Sequence, residues 1–127
     1  MNTKILDCLK QNGRMSWQDI GKKVHLTGQA VATRVKQMED LGIISGYTIK
    51  QDNLKQHFIT VFMDTRDFVK FDEFLKQQNL VNQAFKVTGD GCYLIVFIGI
   101  DKELEVFLDL LLSYGRYRVS SILKLIK

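Results

Sequence analysis

The stretch SWQDIGKKVHLTGQAVATRVKQMEDLG, Ser16 to Gly42, decides the fold of the first part of the chain. It opens with Ser16-Trp17-Gln18-Asp19, a capping-box pattern: the Ser16 hydroxyl takes a backbone N–H and Asp19 reaches back. Ile20 and Val24 fall one helical turn apart, and the small Gly21 between them lets another helix approach closely. His25-Leu26 makes a brief turn. Thr27 then caps a third helix that runs to Leu41 and is stopped by Gly42. In that helix Val31, Val35 and Met38 share one apolar stripe. Gln29, Thr33, Lys36 and Gln37 lie largely on other faces, with Arg34 near the boundary. A short helix, a tight turn and a longer helix with a polar, basic outer face make a helix-turn-helix. Pattern alone leaves open a three-helix packing unit whose polar face is merely solvated.

Outward from this stretch the same reading extends. Ile5, Leu6 and Leu9 sit at helical spacing, and Asn12-Gly13 closes a first helix. After Gly42, the run to Ile49 holds two short β-rich pieces around Ser45-Gly46, which predicts a strand pair and a winged variant. Charge points the same way. Residues 1–50 carry eight Lys/Arg against four Asp/Glu, whereas residues 51–127 carry ten of each. All the excess positive charge therefore lies where the helix-turn-helix is, as expected for a part that meets a polyanion such as double-stranded DNA. Gln, Thr and Arg side chains can hydrogen-bond base edges in the major groove, while Lys and Arg neutralise phosphates. The candidates for base-edge or groove contacts are Gln29, Thr33 and Lys36 on the helix that starts at Thr27. Arg34, Gln37 and Lys22 are placed nearer phosphates, and Thr27 at the helix start completes the DNA-binding set.

The chain has 127 residues, 46% of them hydrophobic and 25% charged, a composition suited to one ordinary soluble domain or two small ones. No apolar run approaches the ~18 residues that span a bilayer, and MNTKILDCLK has no secretory signature, so no membrane partner is expected. Cys8 and Cys92 lie far apart and fit neither a metal pattern nor a disulfide framework, which points to a reducing cytoplasm.

The run Asn12-Gly13-Arg14-Met15-Ser16, then Ile20-Gly21, Leu26-Thr27 and Arg34 to Tyr47 resembles the Lrp/AsnC family of transcription regulators. The Arg34 to Tyr47 part carries the more specific match; the helix-turn-helix itself is shared with many unrelated regulators. The resemblance implies dimers, often closed into rings, and effector amino acids bound between dimers near the loop joining the second and third strands of the following domain.

That following domain is legible on its own terms. After a polar linker, residues 50–56, the segment Phe58 to Met63 is apolar at nearly every position and reads as a strand. Phe68 to Gln78 reads as a helix, Val81 to Thr88 as an edge strand and Tyr93 to Ile100 as a second continuously apolar strand. Leu104 to Leu112 reads as a second helix and Tyr117 to Ile126 as a final strand. The order βαββαβ predicts a ferredoxin-like α+β unit over residues 57–127, following a winged helix-turn-helix over residues 1–49. Two helices cover one sheet face only, yet both faces of the first and third strands are apolar. A second copy of the chain is the expected cover, giving a homodimer through sheet faces.

The loop TGDG, Thr88 to Gly91, then admits several readings. A phosphate loop needs a following helix, and a strand follows instead. A metal needs converging oxygens, and Asp90 is alone locally. Asp90-Gly91 between two strands predicts a two-residue type I′ hairpin. The resemblance adds an effector site at Thr88, Gly89, Asp90, Gly91, Cys92 and Tyr93. There Cys92 stands where the family pattern has an Asp facing the ligand's amino group, and a thiol is a poor partner for an ammonium. An amino-acid effector, a different small ligand and no ligand all stay open.

Cys92 and Cys8 read as small packing residues and Trp17 as a half-buried staple. No catalytic constellation, metal site or cofactor motif is present in the sequence. The rival readings are an enzyme on the same scaffold, with His57, Arg66, Arg116 and Arg118 as its only raw material, and a co-regulator that binds protein instead of DNA.

Overall fold

The computed structural model describes every residue from Met1 to Lys127. The chain divides into two compact units, Met1–Lys50 and Gln51–Lys127. In the first, α1 (Asn2–Gln11), α2 (Trp17–Val24) and α3 (Gly28–Asp40) pack their apolar stripes on one another. Ile5, Ile20, Val31 and Met38 are fully buried there, with Cys8, Val24 and Val35 beside them. Cys8 is thus a small core residue, as expected.

The helix ends follow from local chemistry. Ser16 Oγ accepts the Asp19 N–H at 3.1 Å, and Thr27 Oγ1 accepts the Ala30 N–H at 3.1 Å. Only half of the expected capping box forms, because the Asp19 side chain does not bond back to Ser16. At the end of α3, Ile43 N–H reaches Met38 O at 2.9 Å and Gly42 N–H reaches Glu39 O at 3.1 Å. Gly42 takes φ +76°, which closes a Schellman motif.

The strand pair expected around Ser45-Gly46 does not form, since no strand lies between α3 and the sheet of the second unit. Two isolated pieces of two or three residues are too short to hold a hairpin without a third strand or an apolar cover. The segment instead folds back on α3, where Tyr47 Oη donates to Glu39 Oε2 at 2.9 Å.

The second unit runs β1 (Gln56–Met63), α4 (Phe68–Lys76), β2 (Val81–Lys86), β3 (Tyr93–Ile98), α5 (Asp101–Leu111) and β4 (Gly115–Ser121). This is the ferredoxin-like βαββαβ order. The sheet is antiparallel throughout with order β2-β3-β1-β4, so the two continuously apolar strands are the central ones. The last strand stops at Ser121, five residues short of the expected Ile126. Its neighbour β1 begins at Gln56, whose carbonyl takes the Ile122 N–H at 3.0 Å. Beyond that bond no strand remains to pair with.

Ile59, Val61, Tyr93, Ile95 and Phe97 form the helix-covered face, against Phe71 and Leu75 of α4 and Leu104, Phe107 and Leu111 of α5. Phe71 meets Tyr93 edge-on with ring centroids 4.7 Å apart, and Phe107 stacks on Phe97 at 4.8 Å. The Tyr93 hydroxyl donates to Asp72 Oδ1 at 2.5 Å. Burial, and then that bond and the Asp72 charge, hold the Tyr93 pKa well above the ordinary tyrosine range. Alternate residues, among them Phe58, Phe62, Leu94 and Ile98, form the opposite face. Phe58 there and Phe85 on β2 are 38% and 46% exposed. Both helices are spent on the first face, so this unit supplies no layer for the second.

Candidate nucleic-acid interface and effector loop

Two glycines set the corner between α2 and α3. A Cβ on Gly21 would run into the Leu26 carbonyl oxygen, and one on Gly28 would sit 3.1 Å from Gln18 Cγ and 3.3 Å from its backbone nitrogen. Gly21 is therefore demanded by the carbonyl of its own turn rather than by a neighbouring helix. His25 adopts a left-handed backbone, φ 61°, which turns the chain so that Leu26 N–H reaches Gly21 O at 2.9 Å. The αL conformation is uncommon for a residue with a side chain, but a helix C-terminus is where it is most often found.

This corner presents one face of α3. Gln29, Thr33, Lys36 and Gln37 are exposed and line a shallow surface groove with Ala32 and Asp40. The structure thus brings together all three residues expected at base edges. Thr33 Oγ1 donates to the Gln29 carbonyl at 3.0 Å, so its hydroxyl oxygen remains free to accept. Lys36 lies 3.8 Å from Asp40, with both side chains mostly in solvent, a weak and screened pair. Thr27 uses a lone pair to cap Ala30, which leaves its hydroxyl hydrogen free. No carboxylate lies in the first turn of α3, so nothing neutralises its positive dipole end. Lys22 is exposed in the last turn of α2 beside Lys23.

Arg34 stands apart. It is half-buried, and its Nη1 donates to Asn2 Oδ1 on α1 at 3.3 Å, off the α3 face. Sequence spacing put it at the boundary; the Asn2 side chain settles which way it turns.

In the second unit the loop Thr88–Gly91 joins β2 to β3. The expected type I′ turn at Asp90-Gly91 is not made, because it requires positive φ at both residues. Positive φ occurs instead at Gly89 (97°) and Gly91 (86°). The strands last pair at Lys86 and Tyr93, with Val87 N–H on Cys92 O at 3.0 Å. The result is a four-residue loop. Gly91 lies against Thr60 of β1, where a Cβ would clash with the Thr60 methyl. Asp90 reaches across to Arg118 of β4 at 3.1 Å, and the Arg118 guanidinium sits 5.2 Å from the centre of the Phe62 ring. Arg118 and Phe62 were invisible as loop partners in the sequence, since only the strand order places β4 beside β1. The Cys92 backbone N–H bonds Val61 O at 2.8 Å, and its side chain is half-buried. Of the residues weighed for cofactor chemistry, His57 is buried, with Nδ1 on Ser121 Oγ at 2.7 Å and Nε2 on Gly99 O at 3.1 Å. Both ring nitrogens are occupied in tying strands together.

A profile of AsnC-type helix-turn-helix domains matches residues 1–39. The chain is 38% identical to the HTH-type transcriptional regulator LrpB of Bacillus subtilis, over 98% of its own length and 87% of that protein's. It belongs to the Lrp/AsnC family of transcription regulators. A second member, LrpA of B. subtilis, is 35% identical over 97% of this chain and 96% of its own. A transcriptional regulator of Neisseria meningitidis, solved in complex with L-methionine, matches with a TM-score of 0.83 and 31% identity over 98% of this chain and 88% of that one. B. subtilis LrpC matches with a TM-score of 0.86 over 99% and 94%; at 22% identity it bears on the fold alone. The function of this Lrp/AsnC member is DNA-binding transcription regulation. No helix is long and apolar enough to cross a membrane.

Proposed function

We propose that this regulator reads duplex DNA with the exposed face of α3, acts as a homodimer joined through the open faces of its sheets, and takes a small effector at the β2–β3 loop. The observation that carries the DNA reading is the alignment of Gln29, Thr33 and Lys36 on successive turns of one exposed face. Gln29 can bond a base edge through both ends of its amide, Thr33 accepts through its oxygen, and Lys36 extends to groove or phosphate. Gln37 and Lys22 flank this face and suit backbone phosphates, as does the free hydroxyl of Thr27 beside the N-terminus of α3.

Selection of bound sequences from random oligonucleotides, at controlled salt, tests the assignment. Gln29→Ala should relax preference at one or two positions, by about 1–3 kcal/mol each. Lys22→Ala should weaken binding to all sequences alike and lower the salt slope by about 1. Variants indistinguishable from wild type in both assays would place recognition elsewhere.

The open sheet face supports the dimer: a partner sheet laid on it would remove its apolar side chains from water. For the effector, the N. meningitidis complex supports an amino acid such as L-methionine. Against a close copy of such a site stands the local chemistry, since the loop's single carboxylate, Asp90, is engaged by Arg118 and Cys92 offers only a thiol. Titration calorimetry with a panel of amino acids and of carboxylates lacking the amino group decides between these classes. No heat from either class would remove the effector from the proposal and leave the DNA reading intact.

A further inference from the structure

Two exposed apolar features of the second unit have no partner within it. The first is the segment Ile122–Lys127, which leaves the sheet where β1 has no more backbone to offer. Leu123, Leu125 and Ile126 are 99%, 79% and 83% exposed. The segment runs beside residues 51–54, which cover little of it. The second is a groove of about 390 Å³ between the end of α4 and the outer side of α5. Its apolar lining is Leu80, Phe97, Val106, Phe107 and Leu110, and Val106 and Leu110 are 57% and 45% exposed.

The two features match in charge and in spacing. Ile122–Lys127 carries Lys124 and Lys127 and no acidic residue. Helix α5 carries Asp101, Glu103, Glu105 and Asp109 against the single Lys102. Glu103 lies on the groove itself, and Asp109 lies one turn from Val106 on the other flank. In an extended segment Leu123 and Leu125 project to the same side, about 6.8 Å apart. Val106 and Leu110, four residues apart on a helix, are separated by about 6 Å along its axis. Leu123 and Leu125 can thus straddle the Val106–Leu110 stripe, and Lys127, on the same side of the extended segment, faces the carboxylates.

We infer that Ile122–Lys127 of one copy docks, extended, into the α4–α5 groove of a second copy. The contact is heterologous, segment to groove, so it propagates from copy to copy unless a ring closes it. It involves neither the α3 face nor the open sheet face. The DNA reading and the sheet-face dimer therefore stand or fall separately from it.

Variants of the full chain with one accessible cysteine test this directly in a Cys92→Ser background, where the remaining Cys8 is buried. One preparation carries Leu110→Cys and the other Leu123→Cys, both at exposed positions. Mixed under mild oxidation, they should give a disulfide-linked pair at least fivefold more abundant than either preparation gives alone. Sedimentation at micromolar concentration should show the assembly mass falling at least twofold in Leu123→Asp/Leu125→Asp. Lys127→Glu should lower it as well, and adding Asp109→Lys should restore it. The inference is overturned by a mixture that links no better than its components, or by an assembly mass unchanged in Leu123→Asp/Leu125→Asp. Linkage only within a single chain carrying both cysteines overturns it too, because the segment then folds onto its own groove. Preferential linkage of Leu123→Cys to Phe58→Cys would move the segment to the sheet face and equally overturn it.

Discussion

At the scale of the residue, Gly21 and Tyr93 show how much rests on single contacts. Gly21 has no room for a methyl group, because the Leu26 carbonyl already occupies that space. Gly21→Ala should destabilise the first unit by about 1–3 kcal/mol, the usual cost of overpacking, and denaturant unfolding measures it. Gly46 is the control: nothing lies within 4 Å of its Cβ position, so Gly46→Ala should stay within about 0.5 kcal/mol of wild type. Tyr93 makes a pH prediction. Its folded pKa is raised above the ordinary 10.0, so the native state holds the proton longer than the unfolded chain. The stabilisation is complete below pH 10 and is lost as pH rises from there through the folded pKa. Absorbance titration should find a tyrosine that ionises well above pH 10 in the folded protein and is lost from the curve in Tyr93→Phe. Tyr93→Phe should lose about 1–3 kcal/mol at neutral pH, since Asp72 loses its donor, and should flatten the alkaline decline in stability.

At the scale of the element, the caps carry the helix-turn-helix. Ser16 and Thr27 each satisfy one backbone N–H at a helix start, and replacing either by Ala should cost about 1 kcal/mol in thermal unfolding. Both caps were legible in the sequence because capping is a local rule, decided within four residues. The apolar stripes of α1, α2 and α3 were legible for the same reason. Strand ends and turns were less so. The Ser45-Gly46 strand pair and the type I′ turn at Asp90-Gly91 both rested on dipeptide preferences, and a dipeptide does not specify whether flanking strands exist or where they stop pairing. The extent of β4 was misread because Ile122 to Ile126 is as apolar as a buried strand. Its fate was settled by where β1 begins, a residue more than sixty positions away.

At the scale of the whole molecule, the open sheet face makes the strongest demand. If the proposed sheet-face dimer forms, Phe58→Glu should halve the mass seen in sedimentation while leaving the helix-covered core intact. A compact wild-type monomer at micromolar concentration would sink the sheet-face dimer. The sequence by itself determined the two-unit plan, the βαββαβ order, the apolar faces and the polar face of α3, because periodicity and capping are properties of neighbouring residues. Only the tertiary structure decided that Arg34 turns to Asn2, that Asp90 is held by Arg118 over Phe62, that Gly21 answers to its own turn, and that Ile122–Lys127 is left exposed beside a sheet it cannot join. Each of these depends on which distant segment arrives alongside, and that is set by strand order and helix packing, which no local pattern encodes.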